Sequence, residues 1–185
     1  MDQEKHILIG IDGSPGSREA LNYIGLIFAD NPQAHIDLLH ILPPVPPLFT
    51  ERSGDIRELQ HIQNAAAKFE KECREQAAQI MQDAENILTR YHMKKENLCF
   101  LVRPRVTELA REFLSMERSA IYDAIVLGRR GMSRIEELFL GSLTNNILQL
   151  AKKVMICVVD GKIQSKRLLV PLDGSPNARR NKQPF

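Results

Sequence analysis

Three observations predict an α/β fold, a doubly wound layer of five parallel strands with helices on both faces. First, apolar runs of strand length alternate with segments of helical periodicity from residue 6 to residue 159. Second, those runs are continuous rather than alternating, as in strands buried on both faces. Third, the run Ala124–Leu127 feeds a glycine-containing loop, 128–142, which opens into another amphipathic segment. Strand, loop and helix in that order form the repeating unit of such layers, and ligands bind beyond the carboxyl ends of their strands.

The elements follow in order. His6-Ile7-Leu8-Ile9-Gly10-Ile11-Asp12 reads as a buried strand closed by turn residues. Gly13-Ser14-Pro15 turns into a helix, with Ser14 as N-cap and Pro15 in the first helical position. Ala20, Leu21, Ile24, Ile27 and Phe28 give that helix one apolar face. His35–Leu42 is the second strand, ended by Pro43, Pro44, Pro46 and Pro47 and an irregular loop through Gly54. Within it, His35 and His40 read as strand-end or surface residues, and no histidine has metal-ligand spacing.

From Arg57 to Tyr91 a stripe runs through Leu59, Ile62, Ala66, Phe69, Cys73, Ala77, Ile80, Ala84 and Ile87 at steps of three or four. A continuous helix of that span is about 50 Å long, more than a small sheet covers. Either its first turns project beyond the body or it breaks near residues 60–66. Leu98–Val102 is the third strand, Val106–Met116 a helix, Ile121–Leu127 the fourth strand, Leu143–Ala151 a helix and Val154–Val159 the fifth strand.

Composition bounds the function classes. The chain has 185 residues, 43% of them hydrophobic and 26% charged, which fits one globular domain. A net charge of +2 gives no reason to propose nucleic acid or an anionic membrane. Cys73, Cys99 and Cys157 are odd in number and far apart, neither a disulfide framework nor a zinc site. Cys99 and Cys157 lie in apolar runs and read as core residues. No signal peptide and no membrane-length apolar stretch is present, so the sequence predicts a cytoplasmic protein.

The loop 128–142, GRRGMSRIEELFLGS, carries the chemistry. The first turn of a helix offers unpaired N–H groups and the positive end of its dipole, which stabilise an anion such as phosphate. Glycines at 128, 131 and 141 permit positive φ and close approach of a ligand. Arg129 and Arg130, with Arg134 nearby, suit phosphate groups. A strand-to-helix connection with turn glycines and Ser142 as a cap has the same pattern without any ligand.

Residues 166–176, KRLLVPLDGSP, repeat residues 5–15, KHILIGIDGSP, at a constant offset of 161. Self-similarity at a fixed offset is the mark of duplication. The second copy stops after one strand and a turn, so the chain reads as a tandem repeat ended just inside its second domain. The fifth strand would be an apolar sheet edge, and an uncovered edge is an association site. A homodimer through Val154–Val159 is the expectation.

The residues that carry a family resemblance are now assembled. IGIDGS after the first strand, Gly128-Arg129-Arg130-Gly131, nine residues to Gly141-Ser142, and the closing LTNNILQLAKKVMICVVD together resemble the universal stress protein family, in its ATP-binding branch. The resemblance covers residues 5–160 and implies a Rossmann-like fold of the adenine nucleotide alpha hydrolase-like kind. It implies one domain over residues 1–160, with 161–185 as linker and truncated start of a second. It also implies ATP, with Mg2+ on its phosphates, across the ends of the first, second and fourth strands. Carried over, Gly10, Ile11 and Asp12 flank the adenosine, and Ile41 packs on adenine. Leu127, Gly128, Arg130 and Gly131 line the ribose and phosphates. Gly141, Ser142 and Leu143 hold the phosphate tail. The chain departs from the pattern after its third strand, where relatives often have glycine and Arg103-Pro104-Arg105 stands here.

Three functions are consistent with this sequence. The first is a nucleotide-dependent regulatory protein of the stress response that acts through its dimer. The second is a slow ATPase or nucleotidyl-transfer enzyme. Against it, the chain has neither a GxxxxGK[ST] loop nor an SGGxDS loop, and the motif fixes no general base, so no catalytic residue is assigned. The third is an interaction module that has lost ATP, against which the intact glycine motif argues.

Overall fold

The computed structural model describes residues 4–29, 31, 33–49, 56–105, 111, 113, 116, 122–129 and 154–162. Its elements are β1 (Lys5–Gly10), α1 (Pro15–Phe28), β2 (Ala34–Leu42), a 3₁₀ turn (Pro47–Phe49), α2 (Ile56–Arg90), β3 (Leu98–Pro104), β4 (Ala124–Gly128) and β5 (Met155–Val159). The expected helix 143–151 and the repeat 166–176 lie outside the described residues, as does most of 106–121.

The five strands form one parallel sheet in the order β3-β2-β1-β4-β5. That is the doubly wound α/β class predicted from the continuous apolar runs. Strand order reverses between β1 and β4, so the switch point, where such sheets bind ligands, lies at the carboxyl ends of those two strands. β1 and β4 are central and their Ile7, Leu8, Ile9, Ala124, Ile125 and Val126 are fully buried.

Two apolar cores sandwich the sheet. Ile7, Ile9, Ile36, Leu38, Ala124 and Val126 face α1 and α2. Leu8, Leu39, Ile125 and Leu127 face the other way, onto Phe113 and Met116 from the segment expected to be helical. The period of two along each strand sets this division.

β3 departs from the expectation of burial on both faces. It is a sheet edge, and Phe100 and Val102 are 39% and 43% exposed. Cys99, expected in the core, is exposed for the same reason. Cys157, on the opposite edge strand, is half-buried, and burial pushes its thiol pKa up.

Of the two courses open to the long helix, the structure shows the projecting one. α2 runs unbroken over 35 residues, yet its buried residues begin only at Ala77 and end at Leu88. A crossover helix between parallel strands runs antiparallel to them. The turns before Ala77 therefore extend past the carboxyl ends of the strands. Phe49, in the proline-rich loop, packs its ring 6.0 Å from that of Phe69 on this projecting part.

Candidate functional site

The switch point is bordered by the turn from β1 into α1, the end of β2 and the end of β4. Each carries residues singled out from the sequence.

The β1–α1 turn is fixed by local hydrogen bonds. The Ser14 amide donates to Asp12 Oδ1 at 2.9 Å. Gly13, between them, has φ +76°, a conformation that any L side chain would strain. Ser14 then caps α1 as predicted, its hydroxyl accepting from the Ser17 amide at 3.2 Å, with Pro15 opening the helix. The Ser17 hydroxyl returns a bond to the Ser14 carbonyl at 3.0 Å. One oxygen of Asp12 is thus committed to the turn, while its charge sits beside the positive end of α1. The Ile80 side chain of α2 backs Gly13, and Arg18 pairs with Asp83 at 2.9 Å, fastening α2 to the same turn.

β2 contributes two neighbours. Ile41 is half-buried and packs toward the second core. His40, read from the sequence as a strand-end or surface residue, is instead only 8% exposed. Its Nδ1 lies 2.9 Å from the Ile11 carbonyl oxygen, and the Ile11 amide donates to the Leu39 carbonyl at 2.9 Å. A histidine in an apolar strand run has no sequence mark that separates this role from a surface one.

β4 ends in Leu127 and Gly128. Leu127 is 3% exposed, so its side chain belongs to the core and only its backbone borders the site. Gly10 faces it: an added Cβ there would stand 2.7 Å from both Leu127 and Phe113 side-chain atoms. Gly128 does not have positive φ, and the space a Cβ would need is filled by the Gly16–Ser17 backbone of α1. The expectation that this glycine opens room for a ligand is corrected: it lets α1 close on β4. Arg129 follows, its amide donating to the Val159 carbonyl at 2.8 Å and its guanidinium paired with Asp160. It clamps β4 to β5 and its charge is matched within the protein. At the end of β3, Arg103 is the register partner of Ile41, and the Arg105 amide donates to the Leu42 carbonyl at 3.2 Å.

The structure therefore brings Gly10, Ile11, Asp12, Ile41, Leu127 and Gly128 to one end of the sheet. Arg130, Gly131, Gly141, Ser142 and Leu143 lie outside the described residues. Among the described residues no group of three or more His, Cys, Asp or Glu could hold a metal ion, and no helix is long and apolar enough to cross a membrane.

Comparison with known proteins agrees with this architecture. The model of the universal stress protein family matches residues 4–159. The universal stress protein YxiE of Bacillus subtilis is 24% identical over 145 residues, 78% of this chain and 92% of that protein. The solved structure of the hypothetical protein MJ0577 superposes with a TM-score of 0.64 at 20% identity, covering 87% of this chain and 99% of that one. A universal stress protein from Archaeoglobus fulgidus, solved in complex with dAMP, gives a TM-score of 0.54 at 16% identity over 85% of this chain and 98% of its own.

Proposed function

Because the chain belongs to the universal stress protein family, we propose that it is an adenine-nucleotide receptor that binds ATP at the carboxyl ends of β1, β2 and β4. The observation that carries the reading is the meeting, at the switch point of the sheet, of a carboxylate on a fixed turn, an apolar strand end and the backbone at the end of β4. A relative that binds dAMP supports an adenine nucleotide as the ligand class.

Each group has a task suited to its chemistry. Asp12 keeps one oxygen for the Ser14 amide and offers the other to a ribose hydroxyl or base amino group. Ile41 supplies an apolar wall for the adenine. The backbone at Ile11 and at Leu127–Gly128 borders the ribose. Arg130, Gly131, Gly141, Ser142 and Leu143 follow the family's spacing for the phosphate tail, where helix N–H groups suit the charge. The donor set fits Mg2+ only through the nucleotide, whose phosphate oxygens supply the ligands this ion prefers.

Function in this reading is regulatory: ATP occupancy is reported through a homodimer joined along Val154–Val159, on the sheet edge of β5. Residues 161–185 are a linker and the opening of a second domain of the same kind.

The test is release of nucleotide from purified protein by acid, with identification by chromatography and mass, alongside light scattering. ATP in the extract and a mass twice that of the chain bear the reading out. An extract free of adenine nucleotide, from a protein that also fails to take up added ATP, overturns it.

A further inference from the structure

We infer that His40 is a positioning residue of this site, holding the turn that carries Asp12 through its imidazole. The inference rests on the nucleotide reading above and adds to it a group that no motif marks. The registered pairs of β1 with β2 stop at Gly10, so the Ile11 carbonyl lies one residue past the last of them. Ile11 is 4% exposed, which removes that carbonyl from bulk water. A buried backbone acceptor without a donor is costly. His40 supplies the donor at 2.9 Å.

A carbonyl oxygen only accepts, so Nδ1 of His40 carries a proton and donates it to the Ile11 carbonyl. The carbonyl so held leads directly into Asp12, Gly13 and Ser14, whose geometry depends on the left-handed φ of Gly13 and the bond from Ser14 to Asp12. His40 thereby fixes the origin of the turn and its neighbour Ile41 supplies the apolar wall. One dipeptide of β2 sets both the carboxylate and the base-facing surface.

The experiment uses the full chain and two substitutions. His40→Leu keeps bulk and removes the donor, while His40→Asn keeps a donor close to the Nδ1 position. ATP affinity is measured by calorimetry, and thermal melting is recorded for each protein. The expected result is a loss of about tenfold in affinity for His40→Leu, the worth of one buried hydrogen bond, and recovery to within about threefold for His40→Asn. A second measurement serves if His40→Leu does not fold: nitrogen-15 NMR of the wild-type imidazole should show His40 protonated on Nδ1. Wild-type affinity in His40→Leu, no recovery in His40→Asn, or an Nδ1 without a proton would each overturn the positioning role alone. Failure of the wild type to bind ATP would instead overturn the nucleotide reading beneath it.

Discussion

Gly128, the last residue of β4, lies against the backbone of Gly16 in the first turn of α1: a Cβ at Gly128 would stand 2.3 Å from the Gly16 carbonyl carbon. The neighbouring Gly16 oxygen and Ser17 nitrogen would be at 2.5 and 2.7 Å. All three are main-chain atoms of a capped helix, so no rotamer change relieves the contact. The helix N-terminus and the end of β4 are held together at the switch point by the lack of one methyl group.

Replacing Gly128 with alanine should therefore destabilise the fold before it touches any ligand. Forcing a methyl into packed backbone costs about 2 kcal/mol. For a chain of this size that is a fall in Tm of roughly 4–8 °C. Calorimetric melting of Gly128→Ala checks this, and a Tm unchanged from the wild type would contradict the contact.

The two halves of α2 should differ in their contribution to stability. Leu88 is fully buried and Leu59 sits on the projecting turns. Leu88→Ala should cost 2 kcal/mol or more, about 2–5 for a core leucine, and Leu59→Ala less than about 1. Urea midpoints of the two variants give the comparison. Equal losses would mean that the projecting half is packed as firmly as the body.

Alkaline pH should loosen the protein through its tyrosines. The Tyr122 hydroxyl donates to Asp37 Oδ2 at 2.5 Å. Burial first, then the bond to Asp37 and the carboxylate charge, push the Tyr122 pKa up, with Arg103 opposing. Burial does the same to Tyr23. A tyrosine with a raised folded-state pKa contributes stability that is fully present below its unfolded value, about 10, and lost as pH rises beyond it. Urea midpoints should hold steady from about pH 7 to 8, begin to fall as the raised thiol of Cys157 adds its share, and fall furthest above about pH 10. Tyr122→Phe should cost about 1 kcal/mol at pH 7 and fall less steeply above pH 10. An equal alkaline slope in the variant would show that Tyr122 does not contribute.

The fold class was legible in the sequence because apolar runs and helical stripes are local patterns. Ser14 and Pro15 marked the start of α1 for the same reason. What escaped depends on the order of strands. Cys99 and Phe100 sit in a run as apolar as that of β1, and only the placement of β3 at the edge exposes them. The apolar stripe of α2 was legible. Whether the helix broke near residues 60–66 or projected was not, since that depends on where the sheet and α1 cover it, from Ala77 to Leu88. At the site, Asp12 and Ile41 stood out by their positions at strand ends. His40 did not, since its bond to Ile11 joins residues 29 apart in sequence. Gly128 was legible as a required glycine, but the backbone it accommodates belongs to a helix more than a hundred residues earlier.

The most direct test of the proposed nucleotide site is calorimetric titration of ATP into the wild-type chain and into Asp12→Asn. The amide can keep the bond from the Ser14 amide through its oxygen, so the turn and the melting temperature should be retained. It presents a donor where the carboxylate presented its second acceptor. The account predicts saturable binding of one ATP per chain in the wild type and an affinity about tenfold weaker in Asp12→Asn. Absence of binding in the wild type, or equal affinity in the two proteins, would contradict a site organised on Asp12.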